Sequence, residues 1–176
     1  MQVPVVVIEL EGAITLTPWK EQYVETSVTT KLNGNVWGWS NRTERPPYNI
    51  LPKQVGDTLC IRAAARPRLW TIGIATLTET NTHNILIPQS AKVIVRSNET
   101  SLQIQGMFRD VDITTTKGIT NLFITEPQLR FLQVRSSTIL VNTNLFEKTF
   151  FTRENKGNAL YVVENKHGEV HILLTN

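Results

Sequence analysis

The stretch of sequence that decides the fold covers residues 84–131 and reads NILIPQSAKVIVRSNETSLQIQGMFRDVDITTTKGITNLFITEPQLRF. It holds at least four segments in which apolar and polar residues alternate, and turn-forming residues such as Pro88 and Ser97-Asn98 separate them. Alternation with a period of two is typical of a half-buried β-strand, because successive side chains point to opposite faces of the sheet. The stretch therefore predicts a β-sheet.

The same pattern extends towards both ends of the chain. Residues 3–10 are an apolar run that predicts a buried strand, and residues 21–32 alternate along a second, longer strand. Asn33-Gly34-Asn35 then predicts a hairpin turn that leads into Val36-Trp37-Gly38-Trp39, since Asn and Gly accept the positive φ of a tight turn. Further strands are predicted at residues 58–63, 69–77, 84–87, 92–96, 101–109, 129–134, 138–142, 147–152, 159–164 and 169–174.

Turns punctuate the C-terminal half as well. Residues 114–118 predict a polar loop, and residues 155–158 and 165–168 predict turns between strands. Residues 119–126 fit either a short helix or an extended segment. The prediction is an all-β fold, in which antiparallel sheets form a sandwich or barrel-like body with an N-terminal β-hairpin extension.

The predicted strands and breaks divide the chain into four regions. Residues 1–40 form an N-terminal β-hairpin region, and residues 41–55, which contain three prolines and no periodicity, form a linker or arm. Residues 56–152 form the main β domain, and residues 153–176 form a C-terminal β-hairpin.

The composition excludes several classes of protein. Of the 176 residues, 40% are hydrophobic and 19% charged, as in an ordinary globular chain. The net charge of +3 comes from scattered Lys and Arg, so no nucleic-acid partner is expected. The apolar run at the N-terminus is short, contains Pro4 and follows no basic residue, so it does not predict a signal peptide. No segment approaches the roughly 20 apolar residues of a membrane helix, so no membrane span is expected.

The residue types that carry chemistry do not form a recognisable set. Cys60 is the single cysteine, which excludes an intrachain disulfide, and its apolar context predicts a buried thiol. The three histidines do not have the spacing of a zinc site. Asp110 and Asp112 alternate with apolar residues, which favours a solvated pair over an acid–base pair. We therefore expect no enzyme activity, no metal and no cofactor.

Several residues fall in the order seen in the flagellar L-ring protein family. Gly56-Asp57-Thr58-Leu59-Cys60-Ile61 resembles the Gly-Asp-x-Leu strand near the start of that family's domain. Asn84-Ile85-Leu86-Ile87 resembles its next strand, and Gly106-Met107-Phe108-Arg109 followed by Asp112-Ile113 resembles its Gly-apolar-apolar-Arg-x-x-Asp-Ile segment. The remaining matches are single apolar positions, namely Val93, Val95, Leu102, Ile104, Ile119, Ile124, Leu129 and Phe131. The resemblance covers residues 56–151.

The resemblance implies a structural subunit of a homo-oligomeric ring around a tubular assembly, with the other proteins of that tube as partners. The chain departs from the family in lacking the N-terminal cysteine that carries a lipid and in having only Ala63-Ala64-Ala65-Arg66-Pro67-Arg68 in place of a long insertion. Residues 1–40 and the last 25 residues have no counterpart. These departures favour a ring in the tail, baseplate or collar of a phage virion, and a flagellar or appendage outer ring in a bacterial envelope stays open.

Five residues are candidates for the contact between subunits. Tyr23, Trp37 and Trp39 belong to the predicted hairpin, and exposed hairpins and strand edges can pair with a neighbouring chain. Arg109 and Asp112 could form a charge-assisted hydrogen bond within or between subunits.

The alternative is a β-sandwich module that binds a glycan or another protein through its tryptophans, which are Trp19, Trp37, Trp39 and Trp70. The two hypotheses differ in what they predict for the purified protein. A ring subunit has a large homomeric interface, whereas a binding module is a stable monomer or a small oligomer.

Overall fold

The computed structural model describes residues 5–176, and its secondary structure confirms the all-β class. Within these residues the helical turns are two short 3-10 segments, Asn41–Thr43 and Glu126–Gln128. The strand predicted over residues 3–10 is described from Val5 onwards, because residues 3 and 4 lie outside the described residues. The strands are β1 (Val5–Glu9), β2 (Gly12–Trp19), β3 (Glu25–Asn33), β4 (Val36–Ser40), β5 (Ile50–Val55), β6 (Thr58–Ala63), β7 (Thr71–Ala75), β8 (Thr78–Pro88), β9 (Lys92–Ile104), β10 (Asp110–Thr125), β11 (Leu129–Val141), β12 (Asn144–Phe146), β13 (Phe150–Glu154) and β14 (Ala159–Thr175).

The longest strands fold back on themselves. β10 has 16 residues, and a straight strand of that length would extend for about 50 Å. Yet Thr125, its last residue, donates its backbone N–H to Sδ of Met107, which precedes the strand, at 3.4 Å. The chain therefore turns back near the middle of β10, and its two halves lie in different layers, an arrangement known as a β-arch. β9, β11 and β14 follow the same path, because they pair with β10 or with each other along both halves.

The arches build two layers with matching strand orders. The first layer runs β13-β11-β14-β10-β9-β1-β6-β5, and the second runs β12-β11-β14-β10-β9-β2-β8-β3. Inner strands pair in parallel, and the outermost described strand at each edge is antiparallel to its neighbour.

Parallel pairing of the inner strands differs from the antiparallel pairing that the sequence predicted. Parallel neighbours ordinarily need a crossover of a dozen or more residues, and the chain has only short connections such as residues 105–109. The arch removes this need, because each strand has already returned to the end at which it started.

Glycines allow the arches to stack closely at their bends. Gly118 has a φ of 100°, and a Cβ at this position would lie 1.9 Å from the carbonyl oxygen of Thr100 in the neighbouring arch. A Cβ at Gly168 would lie 2.2 Å from the carbonyl oxygen of Gly118. A larger residue at either position therefore requires the backbone of an adjacent arch to move.

Buried side chains link each bend to the next. Thr100 Oγ1 donates to the carbonyl oxygen of Gly12 at 2.8 Å. Asn165 Nδ2 donates to that of Gly118 at 3.0 Å, and Ser136 Oγ donates to that of Gly168 at 2.8 Å. Bends interrupt the backbone ladder, so these side chains supply hydrogen-bond donors to carbonyl groups at the bends.

The hydrophobic core lies between the two layers. In β9, Val93 and Val95 point inwards from the first layer, and Leu102 and Ile104 point inwards from the second. All four have no exposed surface, and they belong to one cluster that includes side chains from every long arch. Burial of each such side chain stabilises the fold by about 1.5–3 kcal/mol relative to exposure.

The hairpin predicted across Asn33-Gly34-Asn35 does not form. Gly34 has a positive φ of 113°, but the chain continues into β4 rather than reversing. β3 pairs with β8 over nine residues, and β4 pairs with β7. A nine-residue antiparallel ladder with β8 satisfies more of the β3 backbone than the five-residue β4 could. The C-terminal hairpin predicted over residues 153–176 does not form either. β13 pairs with β11, whereas β14 lies between β10 and β11, so the two strands are not neighbours.

Candidate functional site

β4 and β7 form a two-stranded antiparallel ribbon that is separate from the two layers. Its register places Trp37 opposite Ile74 and Trp39 opposite Ile72, with Gly38 and Gly73 between them. Residues directly opposite each other share a face, as do residues two apart in a strand, so the four apolar side chains lie together. We call residues 36–40 and 71–75 the tryptophan ribbon.

The apolar face of the tryptophan ribbon is open to solvent. Trp37 is 78% exposed and Trp39 is 75% exposed, and the facing Ile72 and Ile74 are 60% and 76% exposed. Isolated exposed apolar residues are normal, but a contiguous exposed patch marks an interaction surface in a soluble protein. The ten residues of the ribbon carry no charged side chain, so the surface is suited to an apolar partner rather than a charged one.

Two facing glycines keep the strands of the ribbon close together. Gly38 has a φ of 138° and Gly73 a φ of 118°, a region that residues with a side chain rarely adopt. A Cβ at Gly38 would lie 2.1 Å from the carbonyl oxygen of Ile72, and one at Gly73 would lie 2.2 Å from that of Trp37. Gly38 and Gly73 therefore allow the close pairing of the two strands whose large apolar residues are exposed.

The tryptophan ribbon continues the β3–β8 pair beyond the edge of the second layer. β8 pairs with β2 only from Thr82 onwards, whereas its pairing with β3 begins already at Thr78. The N–H of Thr76 donates to the carbonyl oxygen of Asn35 at 3.0 Å, and the N–H of Asn35 donates to Thr76 Oγ1 at 3.4 Å. The two antiparallel segments are thus joined by hydrogen bonds where the chain bends.

Asn41 fixes the far end of the ribbon. Its side chain is buried, its Nδ2 donates to the carbonyl oxygen of Arg68 at 2.9 Å, and its Oδ1 accepts from the N–H of Trp70 at 3.0 Å. One amide side chain therefore joins the segments that leave β4 and enter β7. The ribbon is held at this end as well as at its base.

A cluster of polar and aromatic side chains anchors the base of the tryptophan ribbon, which is the end that joins β3 and β8. Arg45 Nη1 lies 2.6 Å from Glu79 Oε2, and Arg66 pairs with the other oxygen of the same carboxylate. The guanidinium of Arg66 also lies 4.9 Å from the centre of the Tyr48 ring. Burial raises the pKa of Tyr48, and the nearby Arg66 charge opposes that shift.

His83 lies fully buried beneath this cluster. With the ring proton assigned to Nε2, this nitrogen donates to the carbonyl oxygen of Glu11 at 3.1 Å, and no partner within the described residues reaches Nδ1. Burial lowers the pKa of His83, although the hydrogen bond to Glu11 opposes the shift. The residue is therefore neutral at physiological pH and contributes packing to the base of the ribbon.

The five predicted interface residues are not brought together. Trp37 and Trp39 lie on the ribbon, but Tyr23 lies before β3, where its ring packs edge-to-face on Trp19 at 4.6 Å. The carboxylate of Asp112 binds Arg96 through two hydrogen bonds of 3.0 Å. Arg109 instead lines a cavity of about 390 Å³ at the connections between arches. A direct Arg109–Asp112 pair is therefore not part of the fold.

Ile72 and Ile74 belong to the surface and were not predicted. The signal that could have found them is the likeness of the two ribbon strands, Val36-Trp37-Gly38-Trp39-Ser40 and Thr71-Ile72-Gly73-Ile74-Ala75. Each has large apolar residues on either side of a central glycine, which indicates strands that pair glycine to glycine.

The rest of the described surface has few features of a binding or catalytic site. No group of three or more His, Cys, Asp or Glu side chains within residues 5–176 is arranged to hold a metal ion. A groove of about 920 Å³ runs along the bends and past Tyr48 and Glu79, and Glu9 and Arg62 form an ion pair at 2.5 Å within it. In the same part of the chain, no helix is long and apolar enough to cross a membrane.

Comparisons with known proteins support the fold alone. No family model and no curated protein matches the chain. A solved structure with a similar fold is that of a "putative cell adhesion protein" from Clostridium sporogenes, with a TM-score of 0.54 and 8% sequence identity. The match covers 98% of this chain and 94% of the other.

Proposed function

We propose that this protein is a structural, non-enzymatic subunit that works by self-association, with the tryptophan ribbon as its contact surface. The observation that carries the proposal is the exposed apolar face of Trp37, Trp39, Ile72 and Ile74. Hydrogen bonds and an ion pair at the two ends of the ribbon order the strands before association, which lowers the conformational entropy that is lost when the face is covered.

The area of the face sets the expected strength of association. The exposed parts of the four side chains add up to about 500 Å² of apolar surface. A partner surface of equal size gives an interface of about 1,000 Å², which is the lower limit for a specific contact. One contact of this size predicts weak, concentration-dependent association, and closure of several contacts into a ring strengthens the assembly.

The finer form of the proposal is a ring around a tubular assembly. The order of residues shared with the flagellar L-ring family supports it, and a phage tail, baseplate or collar is the setting that we favour over a bacterial appendage ring. A ring requires a heterologous contact, in which one surface of a subunit binds a different surface of the next.

Light scattering and sedimentation of the purified protein over a range of concentrations test the proposal. We expect the mean mass of the natural chain to rise with concentration. The double variant Trp37→Ser/Trp39→Ser should remain a monomer, because it removes most of the apolar face. Val55→Ser is the matched control, since Val55 is 61% exposed but lies at the end of β5, outside the ribbon. A natural chain that stays monomeric, or a double variant that assembles as well as the control, rejects the proposal.

A second candidate is a module that binds a glycan or a foreign protein through the same face. Two neighbouring exposed indole rings favour it, because Trp combines apolar area with a polar N–H. The fold shared with a protein described as a putative cell adhesion protein agrees with it. This candidate predicts a monomeric chain and retention on a glycan array that the double variant loses.

A further inference from the structure

The outer face of the second layer carries another exposed apolar surface. Phe123 of β10 and Leu173 of β14 are direct neighbours in register there, and they are 37% and 41% exposed. Beside them lies a pocket of about 320 Å³. We call it the acceptor pocket and define it by Asn121, Phe123, Leu140, Thr143, His171 and Leu173.

The pocket is a built feature of the fold. β11 ends at Val141, and the chain turns through Asn142 and Thr143, which have φ values of 48° and 69°. The N–H of Asn142 donates to the carbonyl oxygen of Ile172 at 2.9 Å, and its Oδ1 accepts from the N–H of Leu174 at 2.8 Å. These bonds hold the turn against β14, and the turn forms one wall of the acceptor pocket. Asn142 and Thr143 are the two central residues of the hairpin turn between β11 and β12, where a positive φ at both positions is the usual backbone.

The acceptor pocket and the tryptophan ribbon lie towards opposite ends of the second layer. The pocket spans β10, β14 and β11, whereas the ribbon continues from β8 and β3. β9 and β2 lie between the two sites. The two surfaces of one chain therefore lie on opposite sides of β9 and β2 in the second layer.

We infer that the acceptor pocket binds the tryptophan ribbon of a second copy of this chain. The inference rests on the proposed function, because it names the surface that the ribbon meets. The ribbon brings no charged side chain into the contact, and His171 Nε2 at the pocket already has a partner in Glu169 Oε2 at 3.0 Å. The volume is at the small end for pockets that hold an organic group, which suits a single indole ring.

The area of the ribbon face and the polar residues of the acceptor pocket bear on the fit between the two surfaces. The apolar face of the ribbon supplies about 500 Å², so a specific contact of roughly 1,000 Å² requires the partner to cover an equal area of the layer around the pocket as well as the pocket itself. A buried indole N–H needs an acceptor, and Asn121 and Thr143, whose side chains contain acceptor oxygens, are among the residues that line the pocket. Each copy then has one donor and one acceptor surface, and such heterologous contacts extend from copy to copy until they close.

A mixing experiment tests the inference. The donor variant is Trp37→Ser/Trp39→Ser, and the acceptor variant is Leu173→Lys, a substitution at a position that already reaches solvent. Circular dichroism and thermal unfolding check that both are folded. We expect each variant alone to be a monomer at concentrations where the natural chain assembles. An equimolar mixture should form a 1:1 dimer and nothing larger, because it contains one intact ribbon and one intact pocket per pair.

The control for the acceptor variant is Ile119→Lys. Ile119 is 38% exposed and lies on β10, outside the pocket, so this variant should assemble like the natural chain. An acceptor variant that assembles normally while the donor variant stays monomeric overturns the inference and leaves the proposed function standing. Because one open contact is weaker than a closed ring, the mixture is also measured well above the concentrations at which the natural chain assembles. A mixture that forms no dimer even there overturns the inference. A donor variant that assembles normally overturns both.

Discussion

The tryptophan ribbon and the stacked arches use the same alternation of residues with opposite results. Val93 and Val95 in β9 are fully buried, whereas Trp37 and Trp39 in β4 are at least 75% exposed. The difference lies in what covers the apolar face. In an arch, the second half of the same strand folds over the first, but the ribbon is a two-stranded sheet whose apolar face no layer of residues 5–176 covers. A period of two therefore fixes which residues share a face and leaves open whether that face is covered.

Glycine also has different tasks in the two regions. Gly118 lets one arch approach the next, so it acts between elements that form the core. Gly38 lets one ribbon strand approach its partner, so its effect is confined to the ribbon. We therefore expect a substitution in the arches to lower the free energy of unfolding of the whole fold, whereas a substitution in the ribbon should affect the ribbon alone.

Gly118→Val should have the largest effect. A side chain there meets the carbonyl oxygen of Thr100 and is forced into a backbone region with positive φ, so we expect a loss of about 3–5 kcal/mol in the free energy of unfolding. Gly38→Val introduces a similar clash in the ribbon, and we expect it to change the unfolding of the body by less than about 1 kcal/mol. Urea denaturation followed by circular dichroism measures both. Equal losses would show that ribbon and body unfold as one unit.

Leu102→Ala should follow in size. Leu102 has no exposed surface, and truncation of a buried Leu leaves a cavity that costs about 2–5 kcal/mol. Ile74→Ala is the matched change in the ribbon, where the side chain is 76% exposed, and it should stay within about 0.5 kcal/mol of the natural chain. Chemical denaturation of the two variants side by side gives the contrast directly.

Tyr161 should make the body sensitive to alkaline pH. Burial raises its pKa to about 12, although its hydroxyl accepts a hydrogen bond from the N–H of Phe108 at 2.9 Å, which opposes the shift. The folded state prefers the neutral phenol, so this contribution to stability is complete below pH 10 or so and is lost as the pH rises towards 12. The shift corresponds to about 3 kcal/mol.

Tyr161→Phe tests this dependence on pH. The variant leaves the Phe108 N–H without its acceptor, which costs about 1–3 kcal/mol at neutral pH. Its free energy of unfolding should nevertheless fall less between pH 9 and pH 11 than that of the natural chain. The raised pKa of Tyr48 leaves a smaller slope in both proteins. Parallel slopes for the two proteins would contradict the assignment.

A small effect on stability is also expected for Trp37→Ser/Trp39→Ser. Both side chains already face solvent, so the free energy of unfolding of the monomer should change by less than about 0.5 kcal/mol for each substitution. Thermal unfolding at a concentration below the onset of assembly measures this. A larger loss would mean that the indole rings pack on the body, and the ribbon would then not be a free surface.

Much of the fold was predictable because alternation marks strands and polar, glycine-containing segments mark turns. The turns expected at residues 114–118 and 165–168 do reverse the chain, but they lie inside β10 and β14 as the bends of arches. A hairpin and an arch both need a turn of this composition. What separates them is the partner of each strand, which is set by contacts between residues far apart in the chain.

The site was predictable only in part. Trp37 and Trp39 were found as apolar residues on a strand, but Ile72 and Ile74 became part of the surface through pairing across 30 or more residues. The apolar positions that carry the resemblance to the L-ring family, such as Leu102 and Ile104, point into the core. Core packing alone requires apolar residues there, so the ring stays a proposal that depends on the assembly experiments.

The position of β14 has a consequence for the order in which the protein is made. β14 lies between β10 and β11, although it is synthesised after both. The arches therefore cannot be added one by one as the chain emerges, because a gap for the last arch must be kept or reopened. Pairing over such long separations slows folding, and we expect the native sheet to be completed only after residue 175 has left the ribosome. A nascent chain that lacks this arch is an unclosed structure with two unpaired strand edges rather than a shorter version of the same fold.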